Sequence, residues 1–323
     1  MQGFSSQNRS RQFVSIDFSE ELLPKTTRIL LTSTSFKYLL SAQRLHDLSD
    51  AEISTSSLSK RRIHSVFFLE QIQLSPYAFW DQTGTTVAGW TNGTPGSSRS
   101  QLNHPVDLSI TTNDVLYVSD KLNNRIIVVY LNDYNNIFVI GPILDSSTSP
   151  FNQTTGLFAT KTALYVLDSD NHRVQQLSLN GTNAATVFNF STSDWPHYLY
   201  VDEDTNIYVS ITFSHKVLLC HLNAVNCTIV AGTGVAGSDN NTLNRSYGVF
   251  VTDDKTIYVA DYCNHRIMKW LLNASTGIRV AGDGTPGSQL TQLNRPTAVV
   301  VDRNGYMYIS EDGNHRIVRW VPN

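Results

Sequence analysis

Three cysteines in 323 residues are too few for a disulfide-built scaffold or a multi-cysteine zinc module. Charge is scarce as well. Charged residues make up 16% and the net charge is −3. Nothing global therefore draws the chain to nucleic acid or to an anionic membrane, and a basic patch would have to be local. No apolar run approaches the roughly 18–20 residues that a transmembrane helix needs, so no membrane span is expected. The nearest stretch, residues 29–40, is interrupted by Ser, Thr and Lys. The first ten residues lack the basic-then-apolar profile of a signal peptide. Either the chain is not secreted by that route, or its natural start lies elsewhere.

What the chain does have is repetition. Five segments align without gaps: SDKLNNRIIVV (119–129), LDSDNHRVQQL (167–177), SITFSHKVLLC (210–220), ADYCNHRIMKW (260–270) and SEDGNHRIVRW (310–320). An alternating strand such as ALYV or TIYV precedes each one. A second landmark, VAG or a relic of it, follows. Its Val (Val139, Val187, Val230, Val280) stands 14 residues after the motif cation (Arg125, Arg173, Lys216, Arg266) in four consecutive units. Chance does not hold two landmarks at one spacing four times, and such a period sets the fold.

Each unit contains four short β runs. In the last unit TAVVVD and YMYISE flank Asp302-Arg303-Asn304-Gly305, whose Asn-Gly predicts a type I′ hairpin. Four antiparallel strands in 40–50 residues describe a propeller blade, and such blades must stack to bury both faces. The fold class is all-β, a β-propeller of four-stranded antiparallel blades with five units recognisable. The last blade ends at its third strand, at Trp320, while Thr85–Trp90 (TTVAGW) is an outer-strand sequence with no blade of its own. The two are expected to pair and close a propeller over residues 80–323, hiding two sheet edges. Residues 1–79 hold no landmark of the usual form. They read as a partly helical or disordered extension, or as a degenerate further blade, so five and six blades both stay open.

The pattern DxxNHRI after an LYV strand resembles the NHL repeat, over about three-quarters of the chain. The resemblance implies a propeller, six-bladed in most members. The motif reads as architecture. Asp120, Asp168, Asp261 and Glu311 end second strands, and Arg125, Arg173, Arg266 and Arg316 begin third strands. Across a tight turn they are placed to pair by a charge-assisted hydrogen bond. In the third unit Ile211 replaces the acid and Lys216 the arginine, as expected if the two act together. The recurring His172, His215, His265 and His315 are spread around a ring, too far apart to share an ion, and read as turn residues. Gly232-x-Gly234-x-x-Gly237 and its counterpart at Gly282 spell a dinucleotide loop, but no helix follows to receive a pyrophosphate. No cofactor and no metal are expected.

Positions that break the pattern are the functional candidates. Outer-to-inner loops and motif turns share one face of a propeller. His104, Trp195, His197, Arg245, Tyr247 and Arg295 fall there, an aromatic, basic and imidazole mixture suited to a peptide, glycan or anion. The leading function is a non-catalytic platform for a protein, peptide or glycan partner. One alternative is a zinc lyase. Tyr262-Cys263-Asn264 is similar to the corresponding segment of peptidyl-hydroxyglycine lyases, whose three-histidine ligand set is only partly matched by His104 and His197. A second is RNA binding, which the resemblance allows and the net charge opposes. Cys220 and Cys227 fall on adjacent strands, as a disulfide or as two buried thiols. Nine Asn-x-Ser/Thr sequons, a modest excess over chance, tilt the chain towards an extracellular or secretory setting and a glycoprotein.

Overall fold

Each repeat folds into one antiparallel sheet whose strands neighbour one another in chain order. The computed structural model describes residues 86–141, 150–222 and 226–321. The extension expected at 1–79 and Thr85 of the candidate closing strand lie outside the described residues. The first blade contains β1 (Pro105–Ile110), β2 (Val115–Asp120), β3 (Arg125–Tyr130) and β4 (Asp133–Ile140). The second contains β5 (Thr154–Ala159), β6 (Ala163–Asp168), β7 (Arg173–Ser178) and β8 (Ala185–Asn189). The third runs β9 (Pro196–Val201), β10 (Ile207–Ile211), β11 (Lys216–Cys220) and β12 (Thr228–Gly232). The fourth runs β13 (Ser246–Val251), β14 (Ile257–Asp261), β15 (Arg266–Trp270) and β16 (Ile278–Ala281). The fifth has three strands, β17 (Pro296–Val301), β18 (Met307–Glu311) and β19 (Arg316–Trp320). The result is a β-propeller with five blades.

The core lies between blades. Leu199, Val201, Ile207 and Val209 of the third blade pack on Tyr165, Leu167 and Val174 of the second. Val249, Val251 and Val259 repeat the arrangement on Val217, and Val299 and Ile309 repeat it on Ile267. Each fully buried aliphatic side chain contributes about 1.5–3 kcal/mol, so stability accrues blade by blade rather than in one centre. The inner strands converge closely enough to demand glycine. A Cβ on Gly156 would sit 2.9 Å from the Leu199 nitrogen, and one on Gly248 would sit 2.7 Å from the Thr297 carbonyl oxygen.

The hairpins between first and second strands depart from the type I′ expectation. Gly305 N–H donates to the Asp302 carbonyl at 2.9 Å, and Asp302 N–H donates to the Tyr306 carbonyl. Only Gly305 has positive φ (81°), whereas a type I′ turn needs it at both central residues. The loop is instead a type I turn followed by one left-handed residue. The first, third and fourth blades agree, since Asp114, Thr205 and Lys255 hold the same position at φ 58°, 62° and 64°. Three loop residues bridge these strands in four blades, whereas in the second the Thr160 N–H donates to the Ala163 carbonyl across Lys161 and Thr162 alone.

Candidate ligand-binding face

The motif acid and arginine are cross-strand partners. Asp120 lies opposite Arg125, Asp168 opposite Arg173, Asp261 opposite Arg266 and Glu311 opposite Arg316. Each Arg Nε donates to the carboxylate, at 2.7 Å in the first, second and fourth blades and 2.5 Å in the fifth. The second carboxylate oxygen accepts the backbone N–H of Asn103, Asn152, Asn244 or Asn294, in the loop that precedes the inner strand. The rest of the guanidinium grips the same loop. Arg266 donates to the carbonyls of Ser238, Asp239 and Thr242, and Arg125 to those of Ser97, Ser98 and Gln101. The pair thus clamps each outer-to-inner connection onto its blade. The third blade reverses the arrangement: Lys216, facing Ile211, reaches Asp194 of the loop at 3.1 Å.

The motif histidines join neighbouring blades. Residues 121–123, 169–171, 212–214, 262–264 and 312–314 turn, and Asn124, His172, His215 and His265 follow in the left-handed region at φ 55°, 49°, 50° and 52°. The His215 Nδ1 accepts the Arg245 N–H at 3.0 Å, and the His265 Nδ1 accepts the Arg295 N–H at 3.1 Å. Asn124 does the same through Oδ1, 2.8 Å from the Gln153 nitrogen. At His172 the partner is the Asp194 carbonyl at 2.9 Å, so there the ring donates. Burial, then the adjacent arginine, lowers the pKa of His215 and of His265.

These two sets of bonds fix a face made of motif turns and inner-strand approaches. Tyr262 N–H donates to the Arg245 carbonyl, Thr212 N–H to that of Trp195 and Asp312 N–H to that of Arg295. His104, Gln153, Trp195, Arg245 and Arg295 occupy one equivalent position, immediately before the five inner strands. Trp195 is 46% exposed and meets Phe213, 52% exposed, at 6.2 Å between ring centroids. Arg245 lies over Phe213, its Cζ 5.2 Å from the ring. Tyr247 stacks on Tyr262 at 4.5 Å and contacts His197 at 5.4 Å. Arg295 lies over Tyr262 at 5.9 Å, and the Tyr262 hydroxyl donates to Asp312 at 2.9 Å. Burial and the Asp312 contact push the Tyr262 pKa up to about 12, so the phenol is protonated at neutral pH. Tyr198 packs beneath, on His197 and Tyr247, and burial raises its pKa further.

Of the six candidate positions, Trp195, His197, Arg245, Tyr247 and Arg295 fall in these ring clusters. His104 is exposed at the equivalent position of the first blade, φ 59°, and no ring contact joins it to the others. Sequence reasoning missed Phe213 and Asp312 and gave Tyr262 no place on this face. All three sit one or two positions after the motif acid, so aligning the turn residues across repeats would have exposed them. Among the described residues no group of three His, Cys, Asp or Glu side chains converges as a metal site. Cys220 and Cys227 form a disulfide that closes the β11–β12 hairpin, and Cys263 is a free thiol in the motif turn of the fourth blade.

No protein-family model matches the chain, and no curated protein sequence does. Solved structures share the fold. A Bacteroides thetaiotaomicron protein of unknown function superposes at TM-score 0.55 with 17% identity, over 70% of this chain and 61% of that one. An auxiliary nutrient binding protein from the same organism does so at 0.55 and 16%, over 69% and 60%. A structure of a nidogen–laminin complex matches at 0.54 and 16%, over 69% and 78%. The match spans about 60% of the length of the first two. At these identities the likeness establishes the propeller fold.

Proposed function

We propose that the chain is a non-catalytic propeller of NHL-repeat type that holds a protein, peptide or glycan ligand on the face carrying Trp195, Phe213, Arg245, Tyr262 and Arg295. The observation that carries this reading is the contrast between two classes of arginine. Motif arginines are consumed by carboxylates and loop carbonyls, whereas Arg245 and Arg295 are exposed, lie against aromatic rings and enter no ion pair among the described residues. A guanidinium resting on a ring is desolvated on one side and presents its donor fork on the other. Together with Asp312 as an acceptor, the face suits a ligand that offers an anionic or carbonyl group beside a flat, weakly polar surface. The clamped loops support the reading, because a preorganised face loses little entropy on binding. The nutrient binding protein of the same fold provides a precedent for a binding role.

The test is an array of acidic peptides and oligosaccharides probed with the native protein and with Trp195→Ala, Arg245→Ala and Arg295→Ala. Ligands of the native protein are expected to weaken at least about tenfold in each variant, equivalent to roughly 1.4 kcal/mol. They are expected to be unchanged in Arg303→Ala, which alters an exposed residue in a hairpin at the other end of the strands. Binding indifferent to all three face variants would overturn the proposal.

A further inference from the structure

We infer that three hairpins on the face opposite the ring cluster carry N-linked glycans, at Asn180, Asn226 and Asn273. Strand alternation fixes their side. Motif turns and inner-strand approaches occupy one end of every blade, so the turns joining third and fourth strands lie at the other. Asn180-Gly181-Thr182 joins β7 to β8, Asn226-Cys227-Thr228 leads into β12, and Asn273-Ala274-Ser275 joins β15 to β16. The same hairpin therefore holds a sequon in three consecutive blades. In all three, both the asparagine and the hydroxyl residue two positions on are exposed. At the first, the Thr182 hydroxyl donates to the Asn180 side-chain oxygen at 2.7 Å, presenting the amide and hydroxyl as one unit.

The fold separates these sequons from two others that fall at a repeated loop position. Asn152 and Asn244 occupy the loop position whose backbone N–H binds the motif acid. Asn103 and Asn294 hold that position with Pro two residues on and no sequon. The asparagine there belongs to the repeat, and the Thr or Ser that follows begins β5 or β13 in a buried position. Asn180, Asn226 and Asn273 lie outside that position, in hairpins where Asn180 accepts the Thr182 N–H and hydroxyl and Asn273 stands at φ 61°. A second, independent observation points to the same compartment. The Cys220–Cys227 disulfide closes the very hairpin that bears Asn226, and disulfides persist where the surroundings oxidise. Glycans in this ring leave the Trp195–Arg295 face clear, which gives the molecule one shielded side and one binding side.

The test is mass spectrometry of the full chain from its natural source, before and after release with peptide-N-glycosidase in heavy-oxygen water. Labelled aspartate is expected at two or more of positions 180, 226 and 273, with Asn152 and Asn244 unlabelled and the Cys220–Cys227 peptides linked before reduction. Label at fewer than two of the three, or label at Asn152 or Asn244 as well, overturns the inference.

Discussion

His265 Nδ1 accepts the backbone N–H of Arg295 across the boundary between the fourth and fifth blades, and His215 does the same for Arg245 one blade earlier. Each ring accepts only while that nitrogen is unprotonated. Burial and the neighbouring arginine hold both pKa values below the usual histidine value. The unfolded chain therefore binds these protons first as pH falls, and the stability contribution is complete above about 6.5 and lost as pH drops through the lowered folded values. The unfolding free energy is expected to fall between about pH 7.5 and about pH 5 in denaturant titrations. Asn124 performs the same task with an amide oxygen, so the His215→Asn/His265→Asn variant should show a shallower decline. Equal slopes in the two proteins would remove the rings from the account.

The Asp–Arg clamps differ in burial, and their deletion should rank accordingly. Arg266 is 6% exposed and makes four contacts, to Asp261 and three loop carbonyls. Arg316 is 34% exposed and reaches Glu311 and the Ser288 carbonyl. Arg266→Ala strands a buried carboxylate and is expected to cost about 3–5 kcal/mol. Arg316→Ala also strands a buried carboxylate, but it removes a more exposed guanidinium with fewer bonds and is expected to cost less, about 1–3 kcal/mol. Thermal and urea unfolding of the two variants check the order, and equal losses would mean that the clamp acts without regard to burial.

The repeat made the architecture legible because propeller strands alternate in type and their cores are built from neighbouring units. The motif acid and arginine fall at facing strand ends, as their five-residue spacing implied. Reading was weaker where geometry, not composition, decides. Asn304-Gly305 suggested a two-residue turn, yet the ladder ends one residue earlier and needs three loop residues. Tyr262 and Phe213 were hidden inside the motif, where variation looked like noise around a structural signature. Their partners Arg245 and Arg295 come from the next connection along the chain, 32 and 33 positions away. Such adjacency arises only from the packing of one blade on the next.

The left-handed hairpin position offers a test of stored backbone strain. Gly305 occupies it without a Cβ penalty, whereas exposed Thr205 holds it at φ 62° with a branched side chain. The left-handed region costs a non-glycine residue about 1–2 kcal/mol, and glycine returns part of that by loosening the unfolded chain. Thr205→Gly is expected to stabilise the protein by roughly 0.5–1 kcal/mol, and Gly305→Thr to destabilise it by at least that. Differential scanning calorimetry reads both. A loss of stability in Thr205→Gly would show that the threonine side chain contributes more than the turn costs.

The fifth blade is where the ring must be completed. Its third strand presents Ile317, 45% exposed, whereas Ile126, Val174, Val217 and Ile267 at the equivalent position are fully buried. In the third and fourth blades the partner of this residue is the Ala of VAG: Val217 pairs with Ala231 and Ile267 with Ala281. The remaining VAG is Val87-Ala88-Gly89, and the loop after it docks on the first blade as its counterparts do, with Gly96 N–H donating to the Leu102 carbonyl as Gly237 donates to Leu243. The described residues show no ladder between this segment and β19. The register nevertheless expects Ala88 opposite Ile317. An Ala88→Cys/Ile317→Cys variant, with Cys263→Ser to prevent exchange, is therefore expected to form a disulfide under mild oxidation and to unfold at higher temperature when oxidised than when reduced. Two free thiols in a folded, oxidised sample would show that the Val87-Ala88-Gly89 segment does not pair with β19 in this register.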